Sequence, residues 1–348
     1  KMKIVLLLLA ALAVSAFAKR GEGYQPAPAL DGTGHGQKGL AGTAGSLMTR
    51  VVNTPGANLD VVDETGLPNA RETSNAVSSG GANTPHPDGL SAAVWWLGQF
   101  LDHDITFSKD VGEDIFIDVT GDEHFDPEGE GDFISIRRSD FLYDLQGTRQ
   151  FVNDITSFVD LSAVYGARNY RGQLLRQWSL GRLRAQPRPT GEVPPYNTHG
   201  FPNLGGDFDI TKFLVGDFRG NEQAFLLANH ILFLRNHNYW AEQFHIENPS
   251  WSDDRLFNAA RRWNIAEFQS IVFEEYLPLL LGGQLPAANG FDASASPNIL
   301  TEFAGAGWRV GHTFLNDEIP LWGPSGQEDT INLKDAFQNT AEVEQHGL

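Results

Sequence analysis

Cysteine is absent from all 348 residues, and only two methionines occur. The missing thiols exclude disulfides, zinc–thiolate sites, cysteine-ligated iron–sulfur clusters and cysteine nucleophiles. Positive charge is scarce as well: 25 Lys and Arg stand against 44 Asp and Glu, a formal net charge of −19. Nucleic acid and anionic membrane surfaces both need a basic face, so this balance argues against either as the main partner. The apolar run from Ile4 to Val14 is too short to span a bilayer as a helix, so no membrane insertion is expected. What is present is the composition of a folded chain, 41% hydrophobic and 11% aromatic, long enough for one large domain or two ordinary ones.

Lys1 and Lys3 precede that apolar run, and Ala16-Phe17-Ala18 follows it. A charged start, a short apolar stretch and an A-x-A site predict a secretory signal peptide over residues 1–18, hence a secreted, extracellular protein. An exported chain without disulfides must draw its stability from a core, a metal or a cofactor. Residues 19–90 are rich in Gly, Pro, Asn, Thr and Ser without a sustained period, which predicts an irregular arm. Helical patterning begins at Ser91, and residues 109–150 read as acidic loop. Long helices are expected from about Asn221 to Phe244, and from Asp253 to about Leu281 with a stop at Gly282-Gly283. No strand ladder or repeat is evident. The fold class is mainly α with little β structure, and residues 91–348 form the expected main domain.

Four segments carry candidate chemistry. In Gly98-Gln99-Phe100-Leu101-Asp102-His103-Asp104, helical spacing puts Gln99, Asp102 and His103 on one side. Asp102 and Asp104 are turned about 200° apart, so they face opposite ways. This suggests a His/Gln/Asp pocket on one face and a carboxylate serving something else behind it; a polar helix end with a capping Asp is the plain alternative. In Thr156-Ser157-Phe158-Val159-Asp160-Leu161-Ser162, oxygen-bearing side chains recur at Thr156, Asp160 and Ser162, and Phe158 can add its carbonyl. Calcium takes six to eight hard oxygen ligands from such a loop, and Asp104 could supply a second carboxylate. A polar turn is the alternative. Arg219 and Glu222 stand three apart and by themselves read as a surface ion pair. In Arg309-Val310-Gly311-His312-Thr313, a lone His after Gly is more often structural than a ligand.

Taken together these segments resemble the animal-type haem peroxidases of the peroxidase–cyclooxygenase superfamily. The resemblance runs from about Tyr24 to Leu348. It includes Leu67-Pro68-Asn69-Ala70-Arg71, the Gly98–Asp104 and Thr156–Asp160 segments, and Tyr165-Gly166. It continues through Gly216-Asp217-Phe218-Arg219-Gly220-Asn221-Glu222, Leu234-Arg235-Asn236-His237-Asn238, Tyr276-Leu277-Pro278 and Arg309–Thr313, all in the family's order. It implies a secreted enzyme that reduces hydrogen peroxide and oxidises a small donor such as a halide, thiocyanate or a phenol. His103 is then the distal base, Arg219 the stabiliser of charge developing as the O–O bond breaks, and Gln99 the holder of distal water or a halide. His312 is the axial ligand of the iron of haem b, and Arg309 pairs with a haem propionate. Asp102 and Glu222 match positions that form ester bonds to haem. Gln223 stands where one member has a haem-bonded methionine, so no sulfonium link can form there. Asp104, Thr156, Phe158, Asp160 and Ser162 match the calcium loop. His230 and His237 are expected to be structural.

The family's pattern continues past the axial His to an Asn-x-x-Arg-x-Arg-Asp-His-Gly motif, whose Asn fixes the axial imidazole. This chain has no such motif before Leu348, and C-terminal truncation of the catalytic domain is expected. Two other readings stand beside the peroxidase. A fatty-acid dioxygenase of the same superfamily needs a tyrosine near the axial His, and residues 304–311 hold none. A non-catalytic calcium-binding adhesion or matrix protein would keep the fold without turnover.

Overall fold

A computed structural model describes residues 27–35, 39–52, 66–79, 84–204, 209–287, 290–322, 326 and 328–341. The expected signal peptide, residues 1–18, lies outside them. Helices dominate: α1 (Ala70–Ser78), α2 (Ala93–Ile105), α3 (Ser162–Tyr165), α4 (Asn169–Leu175), α5 (Ala224–Glu247), α6 (Asp253–Ser270), α7 (Leu277–Leu281), α8 (Thr301–Gly305) and α9 (Leu333–Ala336). Single 3-10 segments cover Phe218–Asn221 and Gly307–Phe314, and a π-turn covers Ile271–Tyr276.

The core is organised around α2. Phe100 is fully buried; its ring stacks on Phe233 of α5, with centroids 5.4 Å apart, and meets Phe268 of α6 edge-on at 5.5 Å. Aromatic contacts of this kind contribute about 0.5–1.5 kcal/mol each beyond burial. With Phe100 held inward, the rotation of α2 about its axis is set, and with it the directions of Gln99, Asp102, His103 and Asp104. A second aromatic cluster, Trp240, Phe244 and Trp263, joins α5 to α6 further along.

Local chemistry accounts for the helix ends. Ser252 caps α6, its side chain accepting from Arg255 N, and Asp253 and Asp254 occupy the first turn. The helix widens into the π-turn just before Pro278, which has no N–H to continue the regular ladder. It ends at Gly282, which adopts the left-handed φ of 68°, as the Gly282-Gly283 pair predicts.

Two expectations need correction. Residues 109–150 are not simply loop: β2 (Asp110–Asp118) pairs antiparallel with β3 (Phe133–Ser139), while β5 (Arg149–Asn153) pairs with β1 (Ser46–Leu47) and β4 (Phe141–Tyr143). Each strand of the first ribbon holds a short β-branched pattern, Ile115 and Ile117 in one and Ile134 and Ile136 in the other, but pairing across the acidic stretch between them is a non-local property. A further hairpin joins β6 (Glu318–Trp322) to β7 (Glu328–Asn332). The arm also holds a helix, α1, because Asn69 accepts from both Arg71 N and Glu72 N. Among the described residues no helix is long and apolar enough to cross a membrane.

Candidate functional site

One cavity of about 190 Å³ gathers side chains from distant parts of the chain. α2 supplies Trp95, Gln99, Asp102 and His103; Glu222 and Gln223 come from the entry to α5; Trp308, Arg309 and His312 come from the 3-10 segment. Trp308 anchors that segment by donating from Nε1 to the Gly98 carbonyl at 3.2 Å. Gly98 is required there because a Cβ would collide with the Tyr276 hydroxyl, which donates to the Val94 carbonyl at 3.0 Å. Tyr276 also lines the cavity, and burial pushes its hydroxyl up to about 12.

His103 is almost fully buried. Burial, with Arg219 adding to it, holds the imidazole well below its usual pKa, so it is neutral near pH 7 and able to accept a proton. Its Nε2 lies 3.8 Å from Glu222 Oε2, and its Nδ1 is buried without a hydrogen-bond partner among the described residues. Gln99 donates from Nε2 to Glu222 Oε2 at 2.6 Å and accepts at Oε1 from Gln223 Nε2 at 2.8 Å. Burial also raises Glu222, against the pull of Arg219. Asp102 Oδ2 accepts from Arg309 Nη1 at 3.3 Å, while Asp102 Oδ1 is buried without a hydrogen-bond partner among the described residues. Burial raises its pKa, with Arg309 opposing. His312 is on the cavity wall and exposed.

These residues fit a haem. The wall offers aromatic and aliphatic surface for an apolar ring, an arginine for a propionate, an imidazole from each of two separate segments, and a buried carboxylate oxygen that lacks a partner. Arg219 is placed differently from its companions. Its side chain is mostly buried, but it does not line the cavity; it lies behind His103, bound to Asp217 and to backbone carbonyls.

Asp104 points away from this cavity, as the opposite-face geometry predicts. Its Oδ2 accepts from Asp160 N and Leu161 N, each at 3.1 Å, and its Oδ1 from Ala163 N at 3.0 Å. Asp160 Oδ1 accepts from Thr156 Oγ1 and Ser162 N, each at 3.0 Å. Among the described residues Asp160 Oδ2 is buried without a hydrogen bond, 3.4 Å from His35 Nε2, and the His35 ring stacks on Phe158 with centroids 4.1 Å apart. Among the described residues no group of three or more His, Asp or Glu is arranged to hold a metal. This loop brings two buried carboxylates and two hydroxyls, so a hard cation there must also take carbonyl oxygens. Two adjacent buried carboxylates with one orphaned oxygen suit such a cation.

Sequence reasoning named two further residues without finding what they do. Asp217 forks onto Arg219, and Gln223 both caps α5 and holds Gln99. Spacing gave a partial signal for Asp217, two positions before Arg219, and none for Gln223.

Comparison with known proteins identifies the family. The profile of the animal haem peroxidase family matches residues 30–348. Peroxinectin A of Dictyostelium discoideum is 29% identical over 315 residues, covering 84% of this chain and 59% of that protein. Dual oxidase 1 of Caenorhabditis elegans is 31% identical over 294 residues, covering 79% of this chain and 19% of its own length. This chain thus spans about three fifths of the first relative and one fifth of the second. Among solved structures, peroxidase A of Dictyostelium discoideum superposes with a TM-score of 0.84 at 26% identity, over 92% of this chain and 66% of the other. A fatty acid alpha-dioxygenase of Oryza sativa shares the fold alone, with a TM-score of 0.70 at 17% identity over 92% and 57% of the two chains. With its cavity, its order of motifs and a profile match over most of its length, the chain belongs to the animal haem peroxidase family.

Proposed function

We propose that this protein is a secreted haem peroxidase that reduces hydrogen peroxide and oxidises a small donor such as a halide, thiocyanate or a phenol. The observation that carries this reading is the convergence of a buried, neutral His103 with Gln99, Asp102, Glu222, Arg309 and His312 on one cavity. Haem b bound there supplies the electrons that cleave the O–O bond. His312 is the residue to hold its iron and Arg309 to meet a propionate, while Asp102 and Glu222 are the carboxylates able to form esters with its periphery. His103 takes a proton from the incoming peroxide and returns it to the departing oxygen. Its burial matters because a protonated imidazole could not begin this cycle. Gln99, held at both ends of its amide, orients distal water or a halide beside His103. Calcium bound by Asp104, Thr156, Phe158, Asp160 and Ser162 ties the far face of α2 to the 156–162 loop. The signal-like residues 1–18 support secretion, and residues 91–348 act as the catalytic domain.

The test is the visible absorption spectrum of protein from its natural source, before and after one equivalent of peroxide. A Soret band that shifts on addition is the expected result, and a featureless spectrum overturns the reading. His103→Ala should keep the band but slow the shift by about 10²–10⁴-fold. An undiminished rate in that variant removes His103 from the role of base.

A further inference from the structure

Three side chains form one line along the cavity wall, and every hydrogen bond in it runs the same way. Phe225 N donates to Gln223 Oε1 at 2.6 Å, Gln223 Nε2 to Gln99 Oε1 at 2.8 Å, and Gln99 Nε2 to Glu222 Oε2 at 2.6 Å. That last oxygen lies 3.8 Å from His103 Nε2. The line starts at a firmly held place. Gln223 is only 1% exposed and caps α5. The backbone around it is tied to the chain near α9: Gln223 forms an antiparallel bridge with Phe337, and Glu222 O accepts from Gln338 N at 2.7 Å.

Direction matters because a primary amide has an acceptor at one end and two donors at the other. A backbone N–H can only donate, so Gln223 must turn its carbonyl to Phe225 and its NH2 to Gln99. Gln99 must then turn its carbonyl to Gln223, which leaves its NH2 on the side of Glu222 and His103. Glu222 could not impose this order alone. Burial raises its pKa, and a protonated carboxyl can donate as well as accept. The backbone of α5 keeps one polarity whatever the state of Glu222. One N–H of Gln99 is used on Glu222, and the second has no hydrogen-bond partner among the described residues.

We propose that Gln223 is a positioning residue that locks the Gln99 amide with its N–H edge on the His103 side, so that the cavity offers the second substrate a hydrogen-bond donor there. A donor edge favours an anion such as a halide or thiocyanate, whereas a carbonyl edge would repel one. A phenol hydroxyl both gives and accepts, so it is served by either edge. This preference rests on the peroxidase reading of the cavity; the lock does not.

The test compares Gln223→Met and Gln223→Glu in the full chain. Met leaves the charge of the site unchanged but loses both the cap and the donor to Gln99. Glu keeps an acceptor for Phe225 N, and so the cap, but loses the donor. Bromide and phenol are titrated calorimetrically into the haem-loaded protein. Both variants should bind bromide about tenfold more weakly or worse, the effect of losing a hydrogen bond to a charged partner, with phenol binding near the wild-type value. Weaker bromide binding in Met alone would follow the lost cap, and in Glu alone the added charge. Either result overturns the lock, as does unchanged bromide binding in both variants. If Gln223→Met does not fold, a cycle with Gln99→Met decides. On that background Gln223→Glu should weaken bromide no further, whereas a bare charge effect would persist and overturn the lock. A wild type that takes no bromide overturns it as well. A wild type that binds bromide yet leaves peroxide untouched sinks the peroxidase reading and spares the lock.

Discussion

The side-chain amides of Gln223 and Gln99, 124 positions apart, meet head to tail, with Gln223 Nε2 donating to Gln99 Oε1 at 2.8 Å. The other end of the Gln223 amide accepts from Phe225 N at 2.6 Å and so caps α5. One buried side chain therefore starts the long helix and orients a residue of the cavity. Gln223→Met removes both bonds and leaves Gln99 Oε1 without its donor. A loss of about 1–3 kcal/mol is expected, from the lost cap and the orphaned acceptor. Urea denaturation with an unchanged midpoint would show that the pair contributes nothing.

Calcium should stabilise the protein through the 156–162 loop. At free calcium one hundred times its dissociation constant, one site adds about 2.7 kcal/mol to the folded state. Thermal unfolding is expected to shift upward with calcium and downward with chelator, and Thr156→Val should weaken the response. A melting temperature indifferent to both calcium and chelator counts against the site.

Two histidines away from the cavity set an acid limit. Burial lowers His230 to about 4 and His237 to about 3. His237 is spanned by Tyr165 Oη at 2.9 Å from Nδ1 and the Gly181 carbonyl at 2.8 Å from Nε2. The unfolded chain binds these protons near pH 6.5 and the folded one does not. Between those values the unfolded state holds more protons, so stability is complete above about pH 6.5 and falls as the pH drops toward 4. Each histidine accounts for on the order of 2 kcal/mol between pH 7 and pH 5. His230→Phe should flatten the slope of unfolding free energy in this window. Equal slopes in the variant and the parent would refute the assignment.

Gly98 faces the Tyr276 hydroxyl so closely that a Cβ has no room. Gly98→Ala should therefore displace Tyr276 from the Val94 carbonyl and cost about 1–3 kcal/mol, as overpacking does. Adding Tyr276→Phe, which removes the obstructing oxygen, is expected to recover part of that loss. If the double variant is as unstable as the sum of the singles, the collision is not the cause.

Features governed by spacing along the chain were legible in the sequence. Gln99 and His103 share a side of α2, and Asp102 and Asp104 part company, because a helix turns by a constant angle per residue. The stop at Gly282 was legible because a left-handed residue favours glycine. The strands between Asp110 and Asn153 were not. Their alternation is short, an acidic stretch interrupts it, and a ladder needs a partner that the segment itself does not specify.

The sequence by itself determined which side chains α2 presents together, where the long helices lie, and which family the order of motifs resembles. Tertiary structure alone decided where those side chains spend their bonds. Arg309 meets Asp102 across 207 positions, Gln99 is pinned between Glu222 and Gln223, and Arg219 turns toward the carbonyls of α2. The difference is physical: helical spacing follows from backbone geometry within a few residues, whereas a donor's choice of acceptor depends on what the whole packed chain brings within 3 Å of it.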